Sequence, residues 1–160
     1  MLSTLARFSR HIAVSCAFAA TLALAPSARA NDVEVGQAGE QVAELAQSQI
    51  GARYRWGGTS PAGFDCTGFA MWVYSQFGVE MPRSEAGQLA TGERVSAEEL
   101  APGDLLVFAN TYRAGLSHVG IYLGEGRFVH AVDERHGVTV SNLWDGYWAP
   151  RFVGASRALA

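Results

Sequence analysis

Phe64-Asp65-Cys66-Thr67-Gly68-Phe69 is the stretch on which the fold turns, because a loop ends there and an apolar helix begins. Asp65 is an N-cap residue type, and Phe69, Val73 and Phe77 follow at helical spacing until Gly78 and Pro82 stop the helix. Cys66 therefore falls at or near the first helical position, where the helix dipole and unpaired amides are expected to favour the thiolate. The other cysteine, Cys16, lies in a leader-like segment, so Cys66 is expected to stand alone. An exported protein normally pairs its cysteines. A lone thiol is then either a small buried apolar residue or a nucleophile, and the helix-start position favours the nucleophile.

The leader reading rests on Arg7, Arg10 and His11, followed by an apolar run from Ile12 to Ala25 and the small-x-small site Ala28-Arg29-Ala30. Residues 1–30 are expected to be a signal peptide cut after Ala30, giving a periplasmic or secreted protein. The apolar run is shorter than the ~20 residues a spanning helix needs. Ala13-Val14-Ser15 before Cys16 fits a lipidation site poorly, so no stable membrane anchor is expected. Residues 31–160 have the size of one domain with one core. They carry no Lys, and their nine Arg against 15 acids leave a formal charge of −6, which excludes a basic nucleic-acid footprint.

Residues 31–45 read as a polar, frayed segment to Gly39 and then the start of a helix, whose apolar face is Val42, Leu45, Ala46 and Ile50 and whose end is Gly51. A glycine-rich loop, Tyr54-Arg55-Trp56-Gly57-Gly58, leads towards Asp65. Pro82-Arg83-Ser84 opens a short polar helix through Leu89, and a turn carries Pro102-Gly103. The period then changes to that of strands at 104–108, 118–123, 127–131, 138–141 and 152–156. Helices first and a strand meander afterwards imply an α+β domain, its helices packed on one face of an antiparallel sheet.

His118 and His130 lie in the two arms of one hairpin. A three-residue Gly124-Glu125-Gly126 loop pairs Leu123 with Arg127, places Gly120 opposite His130 and puts both imidazoles on one face. That register gathers Val119, Ile121, Leu123, Val129 and Ala131 on the other face, a coherent apolar set. Cysteine, imidazole base and a polar group orienting the base form a constellation for attack on an acyl carbon. Cys66 is then the nucleophile, His118 the base and His130 its orienting partner. The Cys66 amide, with Tyr54 as a possible second donor, would face a tetrahedral oxyanion.

These residues resemble the NlpC-type family of papain-like cysteine peptidases, which cleave the peptides of bacterial cell walls. The likeness runs over about 46–157 and rests on Tyr54-Arg55-Trp56-Gly57-Gly58, the Cys66 stretch, Pro82-Arg83-Ser84, Pro102 to Phe108 and Ser117 to Gly124. It implies a papain-like fold with N-terminal helices on a five- to six-stranded antiparallel sheet, a catalytic domain over 46–160, and the catalytic set Cys66, His118 and His130. Tyr54, Asp65, Thr67, Arg83 and Ser84 are implied in oxyanion or substrate positioning, with Thr67 where the family usually has Ser. The implied function is hydrolysis of an amide in peptidoglycan stem peptides or cross-links through a Cys66 thioester, without cofactor or metal. A periplasmic regulator or adaptor is left open.

Other readings remain at this point. The same thioester can pass its acyl group to an amine or lipid, or the domain can bind cell wall without cleaving it. Tyr54 and Trp56 suit the core as well as a substrate contact. Asp65 reads more as cap than catalyst, and His136 as surface. Cys66, His118 and His130 are ligand types, yet no close-spaced pair such as Cys-x-x-Cys supports a metal site.

Overall fold

The computed structural model describes residues 30–159; residues 1–29, on which the leader reading falls, and Ala160 lie outside the described residues. Three helices come first, α1 (Ala30–Ser48), α2 (Cys66–Ser75) and α3 (Glu85–Leu89), with a small ribbon of β1 (Thr59–Ser60) and β2 (Gly63–Phe64) between α1 and α2. The strands β3 (Glu93–Val95), β4 (Leu105–Ala109), β5 (Leu116–Gly124), β6 (Arg127–Ala131), β7 (Val138–Asn142) and β8 (Phe152–Arg157) then form one sheet. Its order is β3-β8-β4-β5-β6-β7, antiparallel throughout. The α+β class and the six-stranded sheet agree with the sequence reading.

Strand alternation divides the core in two. Leu105, Val107, Val119, Ile121 and Val129 face the helices and pack on Val42 and Ala46 of α1 and Phe69 and Val73 of α2. Leu106, Phe108, Tyr122 and Phe128 face the other way and are covered by Leu143 and Trp148 from the β7–β8 connection. Side chains of this size each contribute roughly 1.5–3 kcal/mol when fully buried. Between the layers, the Tyr74 hydroxyl donates to the Gly103 carbonyl at 2.6 Å, tying α2 to the turn before β4.

Several details depart from the sequence reading. The stretch before Gly39 is helical in α1 rather than frayed: Gly39 lies so close to Pro102 that a Cβ there would be 2.4 Å from its carbonyl oxygen. Packing at Gly39 and at Val42 extends the helix through the stretch expected to fray. Ile50 follows the helix end and is exposed. Strand β3 was not legible because Glu93-Arg94-Val95 is polar and pairs only with β8, at the sheet edge.

The hairpin keeps its expected register by another route. Ile121 pairs with Val129 and Tyr122 with Phe128, but Gly124 then pairs with Arg127 across a shift at Leu123. The turn is the two-residue Glu125-Gly126, with φ of 53° and 74°, as a type I′ hairpin requires. A two-residue turn alone would throw one histidine to the wrong face; the bulge adds the missing residue and restores the alternation. Gly120 is constrained by this packing, since a Cβ there would meet Phe128 Cδ2 at 2.6 Å.

The Gly120→Ala substitution should therefore destabilise the fold by about 1–3 kcal/mol in chemical denaturation, through overpacking against Phe128. Gly146 has nothing within 4 Å of its ideal Cβ, and Gly146→Ala should stay within about 0.5 kcal/mol. Equal effects at the two positions would mean that β5 and β6 part easily.

Candidate active site

Asp65 builds the start of α2. Its carboxylate accepts from the Gly68 amide at 2.8 Å as N-cap and from the Gly57 amide at 2.8 Å, so helix and preceding loop are held together. The Thr67 hydroxyl donates to it at 3.3 Å, and the Arg83 guanidinium donates to both Asp65 and Thr67. A Cβ at Gly68 would lie 1.9 Å from the Gly58 carbonyl oxygen, so only glycine admits the loop this close. Cys66 is the first residue of α2, as its sequence position implied.

The thiol is buried against the sheet. Tyr122 donates its N–H to Asp104 on the β4 side, so strand alternation turns the Val119 N–H towards β6. The β5–β6 ladder stops at Ile121 and Val129. Beyond that point the Val119 amide, like the Thr67 amide at the helix start, favours the Cys66 thiolate. Burial nevertheless pushes the thiol pKa up to about 11, with the Asp65 carboxylate adding in the same direction and the two amides opposing. The expectation of a resting thiolate is thus corrected: desolvation and a neighbouring negative charge outweigh helix-start stabilisation.

His118 and His130 share one face, as the register requires. His118 Nε2 lies 2.7 Å from His130 Nδ1, and His130 Nε2 lies 2.9 Å from the Ser141 hydroxyl. Trp148 and Phe128 enclose them, with ring centroids 5.2 Å from His118 to Trp148 and 4.5 Å from His130 to Phe128. Burial lowers the His118 pKa to about 4 and, with His118 alongside, holds that of His130 well below the usual imidazole value. Both rings are neutral at pH 7. Among the described residues no hydrogen bond joins the Cys66 sulfur to either imidazole.

A cleft of about 420 Å³ opens over Cys66. Asp65, Thr67 and Arg83 line it beside the thiol, and Tyr54 and Trp56 come from the preceding loop. Tyr54 is half-buried and its phenol is pushed up to about 12 by burial and by the nearby Cys66 and Asp65. It therefore remains protonated as a donor. Ser84 caps α3 through the Gly87 amide at 3.2 Å and is exposed, without lining the cleft. His136 is exposed and pairs with Asp133 at 2.8 Å.

Sequence reasoning missed the opposite wall. Arg113 pairs at 2.9 Å with the nearly buried Glu85, and Tyr112 meets Trp56 edge to face at 5.9 Å. These come from the β4–β5 loop and the start of α3, and only the fold juxtaposes them. Ser141 was missed too, although alternation along β7 could have placed Thr139 and Ser141 on the histidine face. Among the described residues no group of three or more His, Cys, Asp or Glu side chains has metal-binding geometry.

Comparison with known proteins matches residues 51–157 to the NlpC/P60 family. Gamma-DL-glutamyl hydrolase of Bacillus subtilis is 42% identical over 118 residues, which is 72% of this chain and 28% of that protein. The probable endopeptidase NlpC homolog of Haemophilus influenzae is 38% identical over 119 residues, 74% of this chain and 62% of the relative. This chain thus spans less than two thirds of either relative's length. The crystal structure of an NlpC/P60 family protein from Bacillus cereus superposes with a TM-score of 0.71 at 31% identity, covering 76% of this chain and 40% of that one. With its family motifs spread over the helix start, the hairpin and the sheet just described, this chain belongs to the NlpC/P60 family.

Proposed function

We propose that this protein is a cysteine peptidase that hydrolyses an amide bond in peptidoglycan stem peptides or cross-links. The observation that carries the reading is Cys66 at the first turn of α2 in the cleft floor, with the paired imidazoles of His118 and His130 at the adjoining strand. Family membership and relatives named as endopeptidases support it. The name of the Bacillus subtilis relative puts a γ-linked glutamyl amide first among the bonds to test.

In this reading His118 takes the thiol proton on Nδ1 as the sulfur attacks the amide carbon. The oxyanion accepts from the Cys66 amide, an orphan donor at the helix start, and from the protonated Tyr54 hydroxyl. His118 returns the proton to the leaving amine; it then takes a proton from water as the water attacks the thioester, and collapse returns that proton to the sulfur. Because thiol and imidazole are both neutral at rest, proton transfer accompanies attack. Arg83 and Arg113 flank the thiol as half-exposed cations, suiting an anionic peptide.

The leader composition supports export, with cleavage after Ala30 leaving residues 31–160 and a catalytic domain from about residue 46. No helix among the described residues is long and apolar enough to cross a membrane.

Digestion of purified peptidoglycan, followed by mass spectrometry, should release fragments with a new amine and a new carboxylate. Cys66→Ala and His118→Ala should each lower the rate by at least about 10³-fold, and the double variant should be little worse than either. His130→Asn should keep part of the activity by holding the base. Products carrying an added amine in place of water would assign acyl transfer, and wall binding without new ends would leave a binding module.

Iodoacetamide labelling of Cys66 should rise with pH along a curve whose midpoint lies above the ordinary thiol value of about 8.5. A midpoint below 7 that shifts in His118→Ala would establish a resting ion pair instead. Acid should also destabilise the fold. The folded His118 pKa is depressed, so unfolded chains bind more protons below the ordinary value of about 6.5, and stability falls as pH drops from there towards 4. Each unit in that window costs about 1.4 kcal/mol for this group. A flat denaturation midpoint between pH 6.5 and 4.5 would show the imidazole to be solvated.

A further inference from the structure

We propose that Ser141 is a positioning residue that selects the working tautomer of His118 by acting as the terminal hydrogen-bond acceptor of the imidazole pair. The proposal rests on the peptidase reading above for its consequence, though not for its geometry.

Four heavy atoms define the relay: His118 Nε2 and His130 Nδ1, 2.7 Å apart, and His130 Nε2 and Ser141 Oγ, 2.9 Å apart. Two proton arrangements fit the same positions. In the first, His118 Nε2–H donates to His130 Nδ1, His130 Nε2–H donates to Ser141 Oγ, and His118 Nδ1 keeps its lone pair. In the second, every bond is reversed. Ser141 donates to His130 Nε2, His130 Nδ1–H donates to His118 Nε2, and the proton of His118 lies on Nδ1. A neutral imidazole carries one N–H, so the two rings cannot be set independently.

Only the first arrangement leaves a base. Nε2 of His118 is taken by His130, so Nδ1 is the only nitrogen that can accept the thiol proton. It has no hydrogen-bond partner among the described residues, and it is not among the sealed unpaired atoms, so the small exposure left to this ring reaches it. The direction of the chain is then decided at its far end. Ser141 is half-buried, diagonal to His130 across β6 and β7, and its hydroxyl makes no other hydrogen bond among the described residues. Its own proton is free to point to solvent while its oxygen accepts from His130. When His118 becomes protonated on Nδ1, both downstream bonds keep their direction, so no further proton has to move.

The test is tautomer assignment by ¹⁵N NMR of histidine-labelled protein at neutral pH, with kcat and KM on peptidoglycan fragments as a second readout. Wild type should show His118 protonated on Nε2 and His130 on Nε2. Ser141→Ala should mix the tautomers and lower kcat on the order of tenfold with KM unchanged, since it removes part of a general-base contribution. Ser141→Thr should restore both readouts, because it keeps the hydroxyl. Ser141→Asp, an acceptor only, should hold the Nε2–H tautomer and move the acidic limb of the kcat profile to higher pH. A wild-type His118 protonated on Nδ1, or a Ser141→Ala protein with unchanged tautomers and unchanged kcat, would overturn the proposal. If Ser141→Ala does not fold, the wild-type spectrum and the Asp and Thr variants decide it. Absence of peptidase activity in wild type would overturn the peptidase reading while leaving the tautomer result to stand or fall alone.

Discussion

The buried carboxylate of Asp65 is the contact on which the site depends. It accepts from Gly57, Thr67, Gly68 and Arg83, close to the full capacity of one carboxylate. Through these bonds it fixes where α2 starts, how the preceding loop approaches and where Arg83 sits. Removing it would leave two amides unpaired near the thiol, each a loss of about 1–3 kcal/mol if they stay buried. The same charge disfavours the Cys66 thiolate, and so does burial. Positioning the thiol and ionising it are thus opposed, and positioning prevails.

Across from Asp65, the sheet solves a geometric problem. Cys66 stands on the helix-packed face, whereas the imidazoles belong to the aromatic face. A continuous β5–β6 ladder would wall one off from the other. The ladder ends at Ile121 and Val129, and the Val119 N–H freed there favours the Cys66 thiolate. The site therefore occupies the parting of two strands, and Gly120 at that parting brings no side chain to crowd Phe128.

Much of this was legible in the sequence because it is local or periodic. Asp65 with its following helix, Ser84 before α3, and the alternation of Val119, Ile121, Val129 and Ala131 each announce themselves within a few residues. The β5–β6 register was readable although its turn was not, since the hydrophobic pattern constrains the sum of turn and bulge rather than either one. What escaped is long-range. Glu85 meets Arg113, Trp56 meets Tyr112, and Trp148 covers both histidines only because the fold brings distant loops together. No spacing rule within a single segment encodes those meetings. The thiol pKa was misjudged for a related reason: a sequence shows the helix start but not the depth of burial.

The neutral resting pair follows from what the relay lacks. Among the described residues no carboxylate hydrogen-bonds either imidazole; the chain ends in a hydroxyl. A carboxylate at about 4 Å contributes on the order of 4 kcal/mol to an imidazolium at an effective dielectric of 20, about three pKa units. Without it, nothing counters the enclosure by Trp148 and Phe128, and imidazolium is costly until another negative charge forms nearby. In the proposed reaction the developing oxyanion supplies that charge, and only while substrate is reacting. The thiol is thereby protonated, buried and slow towards adventitious electrophiles, and in the proposed reaction it becomes a nucleophile only when an amide carbon is in the cleft.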